Sequence, residues 1–85
     1  MQKIVIYLTT SCPFCYKAKN LLDNKGIPYE EIDVGKNLSK RTEMEKLSGG
    51  KHTVPQIFIG SQHIGGCDDL CDLEQQGKLD CLLSN

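Results

Sequence analysis

The order of elements in this 85-residue chain predicts a layered α/β fold. Three observations predict it. Short apolar, β-branched runs alternate with segments of helical period, in the order β-α-β-α-β-β-α. A helix separates the first two strands, which makes them parallel by the right-handed crossover rule. A two-residue turn, Gly60-Ser61, joins two further runs and folds them into a hairpin.

Each element has its own signal. "KIVIYL" (3–8) reads as a buried strand. From Cys12 onward Phe14, Ala18, Leu21 and Leu22 recur at helical spacing, with Lys17, Lys19 and Lys25 facing elsewhere. Gly26 closes that helix, and Pro28 forbids its continuation. "YEEIDV" (29–34) is a second, weaker strand, because its polar residues are adjacent. Asn37 or Ser39 caps a helix that runs to about Leu47 and ends at "SGG" (48–50). "QIFI" (56–59) and "QHI" (62–64) are the arms of the hairpin. "CDDLCDLEQQ" (67–76) is a helix with acids in its first turn, stopped by Gly77, and "LDCLLSN" (79–85) is a last short one. Tyr7, Tyr29 and Phe58 are expected in the core, as are Cys71 and Cys81, which sit among leucines. His52 and His63 are read as exposed loop and strand residues with no chemistry assigned.

Composition bounds the function classes. Length and the lack of any linker, repeat or low-complexity stretch predict a single domain, 1–85, with a modest core. The net charge of −1 gives no general pull toward nucleic acid or a membrane surface. The charges are uneven, however: residues 1–51 hold nine Lys/Arg and six Asp/Glu, residues 52–85 one and five. A basic half facing an acidic half suits a zwitterionic ligand, although a lysine-rich stretch is also an ordinary solvated face. "MQKIVIYLTT" lacks the long apolar run and cleavage site of a signal peptide, and nothing approaches a membrane span. A cytoplasmic protein is therefore expected, where structural disulfides are rare. Five cysteines, an odd number, also argue against a fully paired framework.

That leaves Cys12 and Cys15 of "CPFC" as a redox pair or as half of a metal clasp. Cys12 falls where a strand ends and a helix begins, beside amides that lack partners and carry a partial positive charge. Pro13 fits the first helical position, where its missing N–H costs nothing. The amides of Phe14 and Cys15 are then free to point at the Cys12 sulfur, and a thiolate there is stabilised. Lys17 and Lys19 add little from solvent. Cys15, one turn on, lies within disulfide reach and should be the more buried of the two. Cys12 attacks and Cys15 resolves. The zinc reading would draw on Cys67 and Cys71, but Cys71 falls a helical turn beyond Cys67 with no histidine close in sequence, so no metal is expected.

With "CPFC", "TVPQIFIG" and "QHIGGCDDL" in these places, the chain resembles a glutaredoxin, most of all the short bacterial dithiol type. The resemblance spans essentially the whole chain, and the spacing of the three motifs is more specific than CxxC alone. It implies a thioredoxin-like fold: a four-stranded mixed sheet flanked by helices. It implies a cis Pro55 that turns the Val54 backbone toward substrate, so that a bound peptide pairs with it as a short strand. It implies glutathione as cosubstrate and reductant, and glutathionylated or disulfide-bonded proteins as clients. Nucleic acid and membrane are not expected partners, and a monomer is expected.

The glutathione groove would be made of Phe14, Arg41, Thr53, Val54, Pro55, Cys67, Asp68 and Asp69. The amides of Cys67 and Asp68, at a helix start, can take the γ-glutamyl carboxylate. The carboxylates of Asp68 and Asp69 can take its ammonium. Phe14 would cover the glutathione sulfur, and Thr53 would be a wall of the groove. Cys67 is either a glutathionylation site or a packed thiol beside the groove. Many glutaredoxins carry Lys or Arg where this chain has Thr9; Lys36, Lys40 or Arg41 could replace it, and Arg41 is chosen because its helix should border the groove. Two other functions compete. One is a [2Fe–2S] cluster shared by two chains, against which Pro13 and the second cysteine argue. The other is a redoxin served by thioredoxin reductase.

Overall fold

The computed structural model describes residues 2–83. Strand β1 (Ile4–Leu8) leads through helix α1 (Pro13–Asn24) to β2 (Glu30–Asp33), then α2 (Leu38–Leu47). The hairpin β3 (Gln56–Ile59) and β4 (Gln62–Gly65) follows, then α3 (Cys67–Gln75) and α4 (Leu79–Leu83). The strands form one mixed sheet in the order β2-β1-β3-β4. β1 runs parallel to β2 and antiparallel to β3, and β3 is antiparallel to β4. The expected fold class and crossover are therefore present. The element limits differ from the expected ones by a residue or two, and the final Ser84 and Asn85 lie outside the described residues.

β1 is apolar throughout because the sheet is covered on both faces. Ile4, Ile6 and Leu8 point to one side, into a cluster with Ala18 and Leu22 of α1, Leu70 of α3, and Leu79 and Leu83 of α4. Tyr7 points to the other, into a smaller cluster with Val34, Met44 and Phe58. There the Tyr7 ring meets Phe58 edge-on at 5.5 Å, and its hydroxyl donates to Glu43 at 2.8 Å. α1 ends at a left-handed Gly26, as its sequence signals. Asn37, not Ser39, caps α2: its side-chain oxygen accepts from the Lys40 amide at 3.2 Å, and the Ser39 hydroxyl donates to that same oxygen.

Three expectations are corrected. Tyr29 is only partly buried, because its hydroxyl turns outward to Asp23 at 2.9 Å. Cys81 is exposed rather than in the core. Leu79 and Leu83 are the buried face of α4, and a residue two places from each lies on its far side. Cys71 is half-buried, packed against the larger cluster.

Candidate active site

Cys12 sits in extended backbone directly before α1, with Pro13 as the first helical residue. The loop from β1 delivers it there, and the proline fixes the entry of the helix. The Cys15 amide donates to the Cys12 sulfur at 3.3 Å, so of the two amides expected to face that sulfur the one a turn on makes the bond. On its other side Cys12 Sγ lies 3.6 Å from the Val54 carbonyl oxygen. A sulfur so held is partly exposed, faced by a helix start and free to react in the reduced state.

Cys15 stands behind it, 2% exposed, within the larger core cluster. Burial first, and then the Cys12 sulfur beside it, push the Cys15 thiol up to about 12, against a backbone hydrogen bond from Thr9 that works the other way. The two thiols thus differ by placement: one at the surface, one kept protonated in the core. Lys17 is exposed, whereas Lys19 is engaged with Glu31 at 2.8 Å.

The Val54–Pro55 peptide bond is cis, as the resemblance implies. Val54 and Pro55 form part of the wall of a groove of about 440 Å³, within the ~300–1,000 Å³ usual for small-molecule sites. Phe14, Thr53, Cys67, Asp68 and Asp69 also line it. Phe14 is 57% exposed and presents its ring to the groove. At the floor, β4 turns into α3 through Gly65, whose φ of 124° favours glycine and where a Cβ would run into the Asp69 carboxylate. That carboxylate accepts from the Gly66 amide at 3.0 Å, so Asp69 also braces the helix start it belongs to.

Eight of the ten expected site residues are thus brought to one place, counting Cys12 through its contact with Val54 and leaving aside buried Cys15 and Arg41. Arg41 does not line the groove. Its guanidinium donates to the His52 carbonyl at 2.8 Å and lies 3.9 Å from Glu45. Lys51 lines the groove instead, as do Gln56 and His63. His63 corrects a further expectation: it is half-buried, its ring 4.9 Å from Phe58. The two-residue turn carried the signal, because it pairs Ile59 with Gln62 and hence Phe58 with His63. Cys67 is 4% exposed, its sulfur 4.0 Å from that of Cys71. Burial, and then Cys71, push its thiol up to about 11. Among the described residues no three His, Cys, Asp or Glu side chains gather as a metal site. Nor is any helix among the described residues long and apolar enough to cross a membrane.

Two free thiols so placed, one partly exposed and its partner one helical turn behind, are an arrangement that thiol–disulfide exchange can use. The four-stranded sheet with its flanking helices sets this one in the thioredoxin-like fold. The family model described as Glutaredoxin matches residues 4–64. Glutaredoxin 1 of Rickettsia conorii is 54% identical over 86 residues, covering 100% of this chain and 84% of that protein. Glutaredoxin 3 of Escherichia coli K12 is 52% identical over 83 residues, covering 98% of this chain and 99% of its own. Among solved structures, a glutaredoxin from Brucella melitensis superposes with a TM-score of 0.84 at 52% identity, over 98% of this chain and 89% of that one. A buckwheat glutaredoxin–glutathione complex does so with a TM-score of 0.88 at 31% identity, over 98% and 77%. The chain belongs to the glutaredoxin family.

Proposed function

We propose that this chain is a glutathione-dependent, cytoplasmic thiol–disulfide oxidoreductase that reduces glutathione mixed disulfides and protein disulfides through its Cys12–Cys15 dithiol. The observation that carries the reading is the groove beside Cys12. It offers a lysine, two aspartates and the amides of a helix start, and is joined to the Cys12 sulfur by the 3.6 Å contact with Val54. A small zwitterion with a carboxylate at each end is the ligand such a mixed groove suits. The buckwheat relative, a glutathione complex, supports the same choice.

In the proposed reaction the Cys12 thiolate attacks the glutathione sulfur of a mixed disulfide. The old S–S bond breaks, the client leaves as a thiolate that takes a proton from water, and Cys12 becomes glutathionylated. A second glutathione thiolate then attacks the glutathionyl sulfur, releasing glutathione disulfide and the Cys12 thiolate. With a protein disulfide, the Cys12 thiolate attacks one client sulfur, the client's S–S bond breaks, and its other sulfur leaves as a thiolate that takes up a proton. Cys15 then loses its proton to solvent and attacks Cys12, and the client sulfur bonded to Cys12 departs as the second thiolate, leaving a Cys12–Cys15 bond. Val54 pairs with the bound peptide backbone, Phe14 covers the sulfur and Thr53 forms a wall. The Cys67 and Asp68 amides hold the γ-glutamyl carboxylate, with the aspartates on its ammonium. Lys51, rather than Arg41, is the cation nearest to hand for the glycyl carboxylate.

The test compares glutathione plus its reductase with thioredoxin reductase as electron source. Glutathione is expected to sustain turnover of a glutathionylated peptide; support by thioredoxin reductase alone would overturn the assignment. Cys15→Ser should keep deglutathionylation and lose most reduction of protein disulfides, whereas Cys12→Ser should lose both.

A further inference from the structure

Gln56 opens β3 with a polar side chain that is 3% exposed. A buried amide is tolerated when its hydrogen-bonding groups are met, and this one has partners at both ends. Its Nε2 donates to the Thr53 carbonyl at 3.0 Å and to the Thr53 hydroxyl at 3.2 Å. Its Oε1 lies 2.7 Å from Nε2 of His63. A carbonyl can only accept, so the amide nitrogen must face Thr53, and Oε1 is left to the histidine. Nε2 of His63 therefore carries the hydrogen and donates it. The ring is held in turn by Phe58, its cross-strand partner, at 4.9 Å and an interplanar angle of 38°.

Thr53, Gln56 and His63 all line the groove. A chain of hydrogen bonds thus runs from edge strand β4, through a buried amide, to the segment whose Val54 carbonyl stands 3.6 Å from the Cys12 sulfur. An apolar side chain would fill the Gln56 site with no polar group to satisfy. What the amide adds is a fixed place for Thr53 and the residue after it.

We propose that His63 is a positioning residue for disulfide exchange: through Gln56 it holds Thr53 and Val54 where a bound glutathionyl group is aligned on Cys12. The proposal rests on the reading of this groove as the glutathione site. His63 touches neither reacting sulfur. It fixes the rotamer of Gln56, and Gln56 fixes the wall. Binding should suffer when it is removed, while the chemical step, which depends on Cys12, should not.

The experiment is steady-state deglutathionylation of a glutathionylated peptide by the full chain, with glutathione as reductant. His63→Phe keeps a ring against Phe58 and removes the donor; KM for the peptide should rise about fivefold with kcat within about twofold. His63→Gln places an amide N–H where Nε2 was and should restore KM to within about twofold of wild type. Gln56→Met should raise KM as His63→Phe does, and the double variant should be no worse than either, because both break one chain. Amide resonances of Thr53 and Val54 should move in His63→Phe and return in His63→Gln. If His63→Phe does not fold, Gln56→Met carries the test. Unchanged KM in a folded variant overturns the proposal, as does a loss confined to thermal stability or to kcat. A wild-type protein that cannot use glutathione overturns the proposed function instead, and shows this before any variant is made.

Discussion

The Cys15 thiol owes its high pKa to its place behind Cys12 in the core, and this has a kinetic consequence. In a mixed disulfide the neighbouring Cys12 can no longer carry charge, but burial, the larger cause, remains. While burial still holds the Cys15 thiol above its ordinary range, its thiolate fraction rises about tenfold with each unit of pH below that range. Single-turnover release of a client from its mixed disulfide with Cys12 should therefore accelerate about tenfold per pH unit between roughly pH 7 and 9. Stopped-flow quenching with product analysis would read this, and a flat profile would show that Cys15 is already ionised at neutral pH in the mixed disulfide, against the burial argument. Cys67 is raised for the same reason, being buried beside Cys71, which argues for a packed thiol at the groove in the resting protein.

Among the elements, the junction of β4 and α3 is the one most tightly specified by its residues. Gly65 takes a backbone conformation that favours glycine, and the space a side chain would need is filled by Asp69, which braces Gly66. Gly65→Ala should destabilise the fold by about 1–3 kcal/mol and loosen the helix start that faces the groove. A lower urea midpoint together with a higher KM for the glutathionylated peptide is expected; a normal midpoint would mean that the junction tolerates a Cβ. α2 is held differently. Only Met44 is buried, Leu38 is 74% exposed, and the helix is fastened at its ends by Asn37 and Ser48 and at its middle by the Tyr7–Glu43 bond. Its weak apolar face is consistent with Arg41 being spent on the loop carbonyl of His52 rather than on the groove.

At the scale of the whole molecule, stability rests on the sheet face covered by α1, α3 and α4. Leu22 is fully buried there among strand and helix residues. Leu22→Ala should cost about 2–5 kcal/mol through lost burial and the cavity left behind. Chemical denaturation would show it as a fall in midpoint at unchanged slope, and a loss under about 1 kcal/mol would mean that the core closes around the gap.

What the sequence determined by itself is local in origin. The strand-to-helix step with proline inside the cysteine pair put Cys12 at a helix start, and the apolar runs, glycines and two-residue turn set the elements, the parallel opening and the hairpin. The burial of Tyr7 and Phe58 followed from their place in strands covered on both sides. Which cation meets the groove, which side of α4 is wet and what becomes of His63 were decided only by tertiary packing. Lys51 lies on a loop with no periodic pattern, and the direction in which Arg41 points depends on a carbonyl eleven residues away. Even so, two of these outcomes had signals: the spacing of Leu79 and Leu83 turns Cys81 outward, and the hairpin register sets His63 against Phe58. The physical division is one of range. Backbone preference acts over a few residues, whereas a groove is built from segments far apart in the chain, and its polar partners are chosen by what else is buried beside them.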